Sequence, residues 1–131
     1  MSSRSHALVV DDDALVRQYM RDVLVAEGWG VTEAADGVEA LHAYRVGGFG
    51  LVVLDMVMPN LGGLDVVRAI RAIDVQVPVL LVSGNTAPGT IEAGIALGRC
   101  RFLAKPFRAA ALLTAIDTVM SDLSPELSDA P

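Results

Sequence analysis

The sequence contains five short apolar runs, each followed by a stretch in which apolar residues recur at helical spacing. No other feature constrains the fold as strongly. A run that is apolar at every position has no solvent face and must be covered on both sides. The runs are His6–Val10, Trp29–Ala34, Leu51–Leu54, Val77–Val82 and Phe102–Ala104. Between them, Leu15, Val16, Tyr19, Met20, Val23 and Leu24 outline a first helix, and Val38, Leu41 and Tyr44 a second with Asp36 as its N-cap. Leu64, Val67, Ile70 and Ile73 outline a third. A fourth, weakened by Gly94, is expected over Thr90–Leu97, and a fifth carries Ala110, Leu113, Ile116 and Met120. Strands alternating with helices predict an α/β fold, a five-stranded parallel sheet wound with helices on both faces.

Length and charge narrow the function classes. A chain of 131 residues, 53% of them hydrophobic, has material for one core and is not a disordered polymer. No apolar run approaches the roughly 20 residues that cross a bilayer, and Ala7–Val10 is too short for a secretory signal. A cytoplasmic location and no membrane insertion are the expectations. A net charge of −6 argues against direct nucleic-acid binding, which needs clustered positive charge. Cys100 is the single cysteine and has no His or Asp motif to make it a nucleophile, so it reads as a small core residue. His6 and His42 have no partners at ligand spacing, and Gly28-Trp29-Gly30 lacks the third glycine of a dinucleotide loop.

The ends of the runs carry the chemistry. Runs one, three, four and five stop at Asp11-Asp12, Asp55, Ser83 and Lys105. In an open parallel sheet ligands bind outside the carboxyl ends of the strands, so these residues converge on one cleft. Three close carboxylates repel one another unless a cation or a lysine lies among them, and an all-oxygen set suits a hard ion such as Mg²⁺. A hydroxyl and an ammonium beside that ion suit the oxygens of a phosphoryl group. Lys105 is the lone lysine among ten basic residues, and lysine serves where a compact point charge meets a phosphate.

VVDD at Val9–Asp12, LDMVMPNLGG at Leu54–Gly63, VSG at Val82–Gly84 and FLAKPF at Phe102–Phe107 together resemble the receiver domain of two-component response regulators. The resemblance covers about residues 6–120 and implies the flavodoxin-like sheet order 2-1-3-4-5, an order for which the chemotaxis receiver is a standard example. It implies a receiver over residues 1–120 and a short polar tail over 121–131. By the same resemblance Asp55 is the phospho-acceptor, and Asp11, Asp12, Asp55 and the backbone carbonyl of Val57 hold Mg²⁺. Ser83 and Lys105 engage the phosphoryl group, and Phe102 is the aromatic that turns inward with Ser83. Pro106 would follow a cis peptide bond.

The implied partners are a sensor histidine kinase or phosphotransfer protein, and a downstream protein met by the face of the fourth helix, fifth strand and fifth helix. The implied state is a monomer or a phosphorylation-dependent dimer. The protein would be an autocatalytic acceptor with slow self-dephosphorylation, not an enzyme with turnover. Some positions depart from the family pattern. Gly62 replaces a frequent Asp, and Arg99 and Arg101 are expected to add positive charge to the output face. Asp13 reads as a helix-terminal charge, and Val57 and Asn85 flank the places from which water would reach the acceptor.

Three other readings stand beside this one. A haloacid-dehalogenase-type phosphatase would need an acid two residues after Asp55, where Val57 stands. A receiver excised from a hybrid histidine kinase and a phosphorylation-independent binding module are the remaining two, a stand-alone receiver being the preferred form.

Overall fold

The computed structural model describes residues 6–84 and 89–121. Five strands and five helices alternate along the chain: β1 (His6–Val10), α1 (Ala14–Ala26), β2 (Gly30–Ala34), α2 (Gly37–Val46), β3 (Phe49–Asp55), α3 (Gly63–Ile73), β4 (Val79–Ser83), α4 (Thr90–Ala96), β5 (Cys100–Ala104) and α5 (Ala109–Ser121). The strands form one parallel sheet in the order β2-β1-β3-β4-β5, as expected. The polar tail beyond Ser121, with Asn85, lies outside the described residues.

Alternation along the strands divides the interior in two. Leu8, Val10, Val52, Leu54, Val79 and Leu81 face one layer with Ala40 and Tyr44 of α2 and Val66, Val67 and Ile70 of α3. Ala7, Val9, Leu51, Val53, Leu80 and Val82 face the other, with Met20 and Leu24 of α1 and Leu112, Ile116 and Val119 of α5. Two-sided burial is why β1, β3 and β4 read as unbroken apolar runs.

Several helix faces differ from the expected stripes. Leu15 is 78% exposed, and Val38 and Ile73 also point to solvent. In α5 the buried residues are Leu112, Ile116 and Val119; of the expected set Ile116 is among them and Met120 packs partly buried against the same cluster. That helix is apolar around most of its circumference, so its periodicity does not select a face. Strand β5 starts at Cys100, two residues before the expected run, because charged Arg101 interrupts the apolar pattern. Strand β3 likewise starts at Phe49, within a segment that reads as a glycine turn.

Gly94 has the opposite role to a defect. A Cβ there would lie 2.6 Å from Leu81 Cδ1, so glycine lets the short α4 lie close against the sheet. The far end of α4 is held by Arg71 of α3, a buried arginine with no place in the sequence reading. Its guanidinium donates to main-chain oxygens of Asp74, Val77, Leu97, Gly98 and Arg99 at 2.6–3.3 Å. Five donors and no acceptor suit a guanidinium to a nest of carbonyls. Nearby, Tyr44 Oη donates to Asp74 Oδ2 at 3.0 Å.

Candidate functional site

The site forms where the ladders end. Register pairs Val10 with Leu54, Asp55 with Val82, and Ser83 with Ala104. The residues just beyond therefore lie side by side: Asp11 and Asp12 after β1, Asp55 closing β3, Ser83 closing β4 and Lys105 after β5. Asp11, Asp55 and Ser83 are buried, whereas Asp12 is exposed. Ligand oxygens of Asp11, Asp12 and Asp55 all lie within 4.8 Å of one another, the one such acidic group among the described residues.

Lys105 Nζ bridges the buried acids, 2.9 Å from Asp11 Oδ2 and 3.6 Å from Asp55 Oδ1. Burial works against the ammonium, but its hydrogen bonds and ion pairs with the two carboxylates outweigh that effect, and its pKa is raised. Asp55 is the strained partner. Burial and the nearby charge of Asp11 push its carboxyl up to about 6, against the relief that Lys105 and the Val57 N–H provide. The Val57 N–H donates to Asp55 Oδ1 at 3.3 Å, while the Val57 side chain points to solvent. Position 57 thus carries no acid or base side chain.

The donor set fits Mg²⁺. Every candidate ligand is oxygen, as a hard ion requires. Asp11 Oδ2 is buried and meets no neutral donor, its close polar neighbour being the Lys105 ammonium at 2.9 Å. A buried carboxylate oxygen left so placed is suited to a cation.

Local structure fixes the loops that carry these residues. Asp13 Oδ1 accepts from the Leu15 and Val16 N–H groups, so it caps α1, the terminal role expected of it. The loop after Asp55 folds back through the Gly63 N–H, which donates to the Met56 carbonyl at 3.0 Å. A Cβ at Gly63 would stand 2.6 Å from the Asp55 carbonyl oxygen and 2.7 Å from Met56 Cα, so only glycine fits. This residue was missed, although the Gly62-Gly63 pair marks the spot. Gly62 is the N-cap of α3 and supplies no side-chain cap. The Lys105–Pro106 peptide bond is cis, as expected.

Phe102 pairs with Leu81 across the sheet and is half-buried against the α2–α3 layer. Arg101 lines a groove with Thr114, Asp117, Thr118 and Ser121 of α5. Arg99 departs from the expectation that it faces the same way. It takes a φ of 51° in the turn before β5 and its Nη1 donates to Gln76 Oε1 at 3.3 Å, near the opposite end of the sheet from Asp55. Cys100 is buried, and burial raises its thiol pKa. His6 hydrogen-bonds Thr32 Oγ1 at the sheet edge.

Residues 7–117 match the sequence pattern of the response regulator receiver domain. The chain belongs to that family. This receiver is 37% identical over 119 residues to the response regulator MprA of a Mycobacterium species, covering 91% of this chain and 52% of that protein. It is 34% identical over 113 residues to a Bacillus subtilis protein described as the uncharacterized transcriptional regulatory protein YkoG, covering 86% of this chain and 50% of that one. The receiver thus spans about half the length of these curated relatives. Among solved structures it is similar to the chemotaxis protein CheY4 of Vibrio cholerae, with a TM-score of 0.83 at 32% identity, covering 89% of this chain and 99% of that one. Receivers are the phosphorylation-dependent switches of two-component signalling, their partners are histidine kinases or phosphotransfer proteins, and they are generally not classical enzymes. No helix among the described residues is long and apolar enough to cross a membrane.

Proposed function

We propose that Asp55 accepts a phosphoryl group from a phosphohistidine and that this change alters the protein contacts of the receiver. The observation that carries the reading is the Lys105 bridge between two buried carboxylates, Asp11 and Asp55, at the carboxyl end of the sheet. An Asp55 oxygen attacks phosphorus, the P–N bond breaks, an acyl phosphate forms, and the departing imidazole takes a proton from solvent. Asp11, Asp12, Asp55 and the Val57 carbonyl would hold Mg²⁺. The chemistry an ion held there would supply is neutralisation of charge on the phosphoryl oxygens. Lys105 and the Ser83 hydroxyl then engage those oxygens, and Phe102 follows Ser83 inward. Slow hydrolysis of the acyl phosphate resets the receiver without a turnover substrate.

The phosphodonor has a docking place beside the acceptor. An apolar groove of about 510 Å³ is lined by Leu15, Val16 and Tyr19 of α1 and by Gly84, Lys105, Pro106 and Phe107. A phosphohistidine on a kinase or phosphotransfer helix laid along it would lie next to Lys105. The downstream partner is assigned to the face of α4, β5 and α5.

Intact-mass measurement after incubation with acetyl phosphate or phosphoramidate tests the acceptor. One added phosphoryl group is expected in the wild type with Mg²⁺, and none with a chelator or in Asp55→Ala. An adduct that survives Asp55→Ala places the acceptor elsewhere. No adduct in the wild type, with amide resonances unchanged by beryllofluoride, leaves the phosphorylation-independent module as the better account.

A further inference from the structure

Arg17 of α1 takes no part in the scheme above, yet it grips the loop that carries the acidic pair. Its side chain is 18% exposed and acts as a fork. Nη1 donates to the Asp11 carbonyl oxygen at 2.7 Å, and Nε donates to Glu33 Oε1 at 3.0 Å. Glu33 lies on β2, paired with Val9 of β1, and its other oxygen is 3.5 Å from Arg21 Nε. The anchor is thus tied to the sheet itself.

The effect is to hold Asp11 at every polar atom. Its N–H donates to the Ala34 carbonyl at 3.2 Å and its carbonyl accepts from Arg17. Its Oδ1 accepts from the Asp13 N–H at 2.9 Å, and Oδ2 faces Lys105 at 2.9 Å. Of these four restraints, the bond from Arg17 is the one by which a side chain of α1 fixes the main chain on the way to Asp12. A planar guanidinium can hold a carbonyl and a carboxylate at once in fixed relative positions, whereas an ammonium cannot reproduce that fork.

We propose that Arg17, braced by Glu33, is a positioning residue that sets the Asp11-Asp12 geometry for Mg²⁺. The proposal rests on the reading of those two acids as metal holders. Its sign separates it from a simple charge effect. A cation at Arg17 repels a second cation nearby, so charge alone makes Mg²⁺ bind more weakly in its presence. Positioning makes Mg²⁺ bind more tightly in its presence, and residues that orient ligands in this way typically contribute 10–100-fold in metal affinity.

Calorimetric titration of MgCl₂ into the full chain, with Arg17→Met and Arg17→Lys measured beside the wild type and thermal melts run on each, tests this. The expected result is a Kd for Mg²⁺ raised about tenfold in both variants, the lysine variant showing the loss at unchanged charge. Tighter binding in Arg17→Met with no change in Arg17→Lys overturns the proposal in favour of charge alone. Lower melting temperatures with unchanged Kd overturn it in favour of a merely structural role. If Arg17→Met does not fold, Arg17→Lys decides alone. A wild type that binds no Mg²⁺ removes the metal reading itself, while wild-type binding unaffected by either variant removes only the role of Arg17.

Discussion

Burial and the neighbouring negative charge of Asp11 raise the Asp55 carboxyl from 3.8 to about 6, so its ionised form is disfavoured in the folded state. Within that window the native state keeps a proton that the unfolded chain has released, and stability falls as pH rises through it. Below the window the cost vanishes. Asp55→Asn is therefore expected to stabilise the chelator-treated protein by on the order of 2 kcal/mol at pH 7, with the gain shrinking toward pH 4. Urea unfolding at the two pH values measures it, and a destabilised variant at pH 7 would show that Asp55 is not held under strain. Asp74 has the opposite sign. A hydrogen bond from the Gln76 N–H, together with others including that of Tyr44, outweighs its partial burial and lowers its pKa. The stability it contributes is present above the ordinary carboxylate pKa and lost as pH falls through the lowered one. Tyr44→Phe is expected to cost about 1 kcal/mol at neutral pH and less in acid, as read from melts at both. At this scale Asp11, Asp12, Asp55, Ser83 and Lys105 were legible because each follows an apolar run. Arg17 and Arg71 were not, since both bind main-chain oxygens that folding brings near, and no side-chain pattern announces such partners.

The elements were legible in kind and order, and less so in their faces and ends. Apolar runs with two buried sides have an unambiguous period, which is why β1, β3 and β4 stood out. Helix α5 has apolar residues almost all round, and only packing against Leu80 and Val82 selects Leu112, Ile116 and Val119. Gly63 belongs to this scale because it joins the loop after Asp55 to α3. Gly63→Ala drives a Cβ into main-chain atoms of residues 55 and 56, and should cost about 1–3 kcal/mol. Because those atoms belong to Asp55, the proposed acceptor, and to Met56, the rate of phosphorylation by acetyl phosphate should fall by more than the folded fraction does. Equal losses in the two would assign Gly63 a purely structural part. At the far end of α4, Arg71→Met strips several carbonyls of their donor, and bonds from a charged group contribute about 1.5–3 kcal/mol each when measured singly. Faster amide hydrogen exchange concentrated in α4 and β5 is the expected signature. Exchange raised evenly over the whole sheet would contradict it.

For the molecule as a whole, a ligand that binds only the folded chain stabilises it by mass action. Mg²⁺ at ten times its Kd should add about 1.4 kcal/mol, and NaCl at matched ionic strength should not. Asp12→Asn should abolish the gain in thermal melts; a gain that persists would place the ion elsewhere. The architecture puts the groups of this site at one end of the sheet and the Tyr44–Asp74–Arg71 network near the other. The two ends answer to different demands. Arg71 reads main-chain oxygens of Leu97, Gly98 and Arg99, without regard to their side chains. The anchor thus makes no demand on the side chains of the turn between α4 and β5, but the positive φ of 91° at Gly98 and the packing of Leu97 against the core do. Variation in recognition beside β5 is thereby left to outward side chains of the strand and of α5, such as Arg101, while the turn that precedes them is held to one shape.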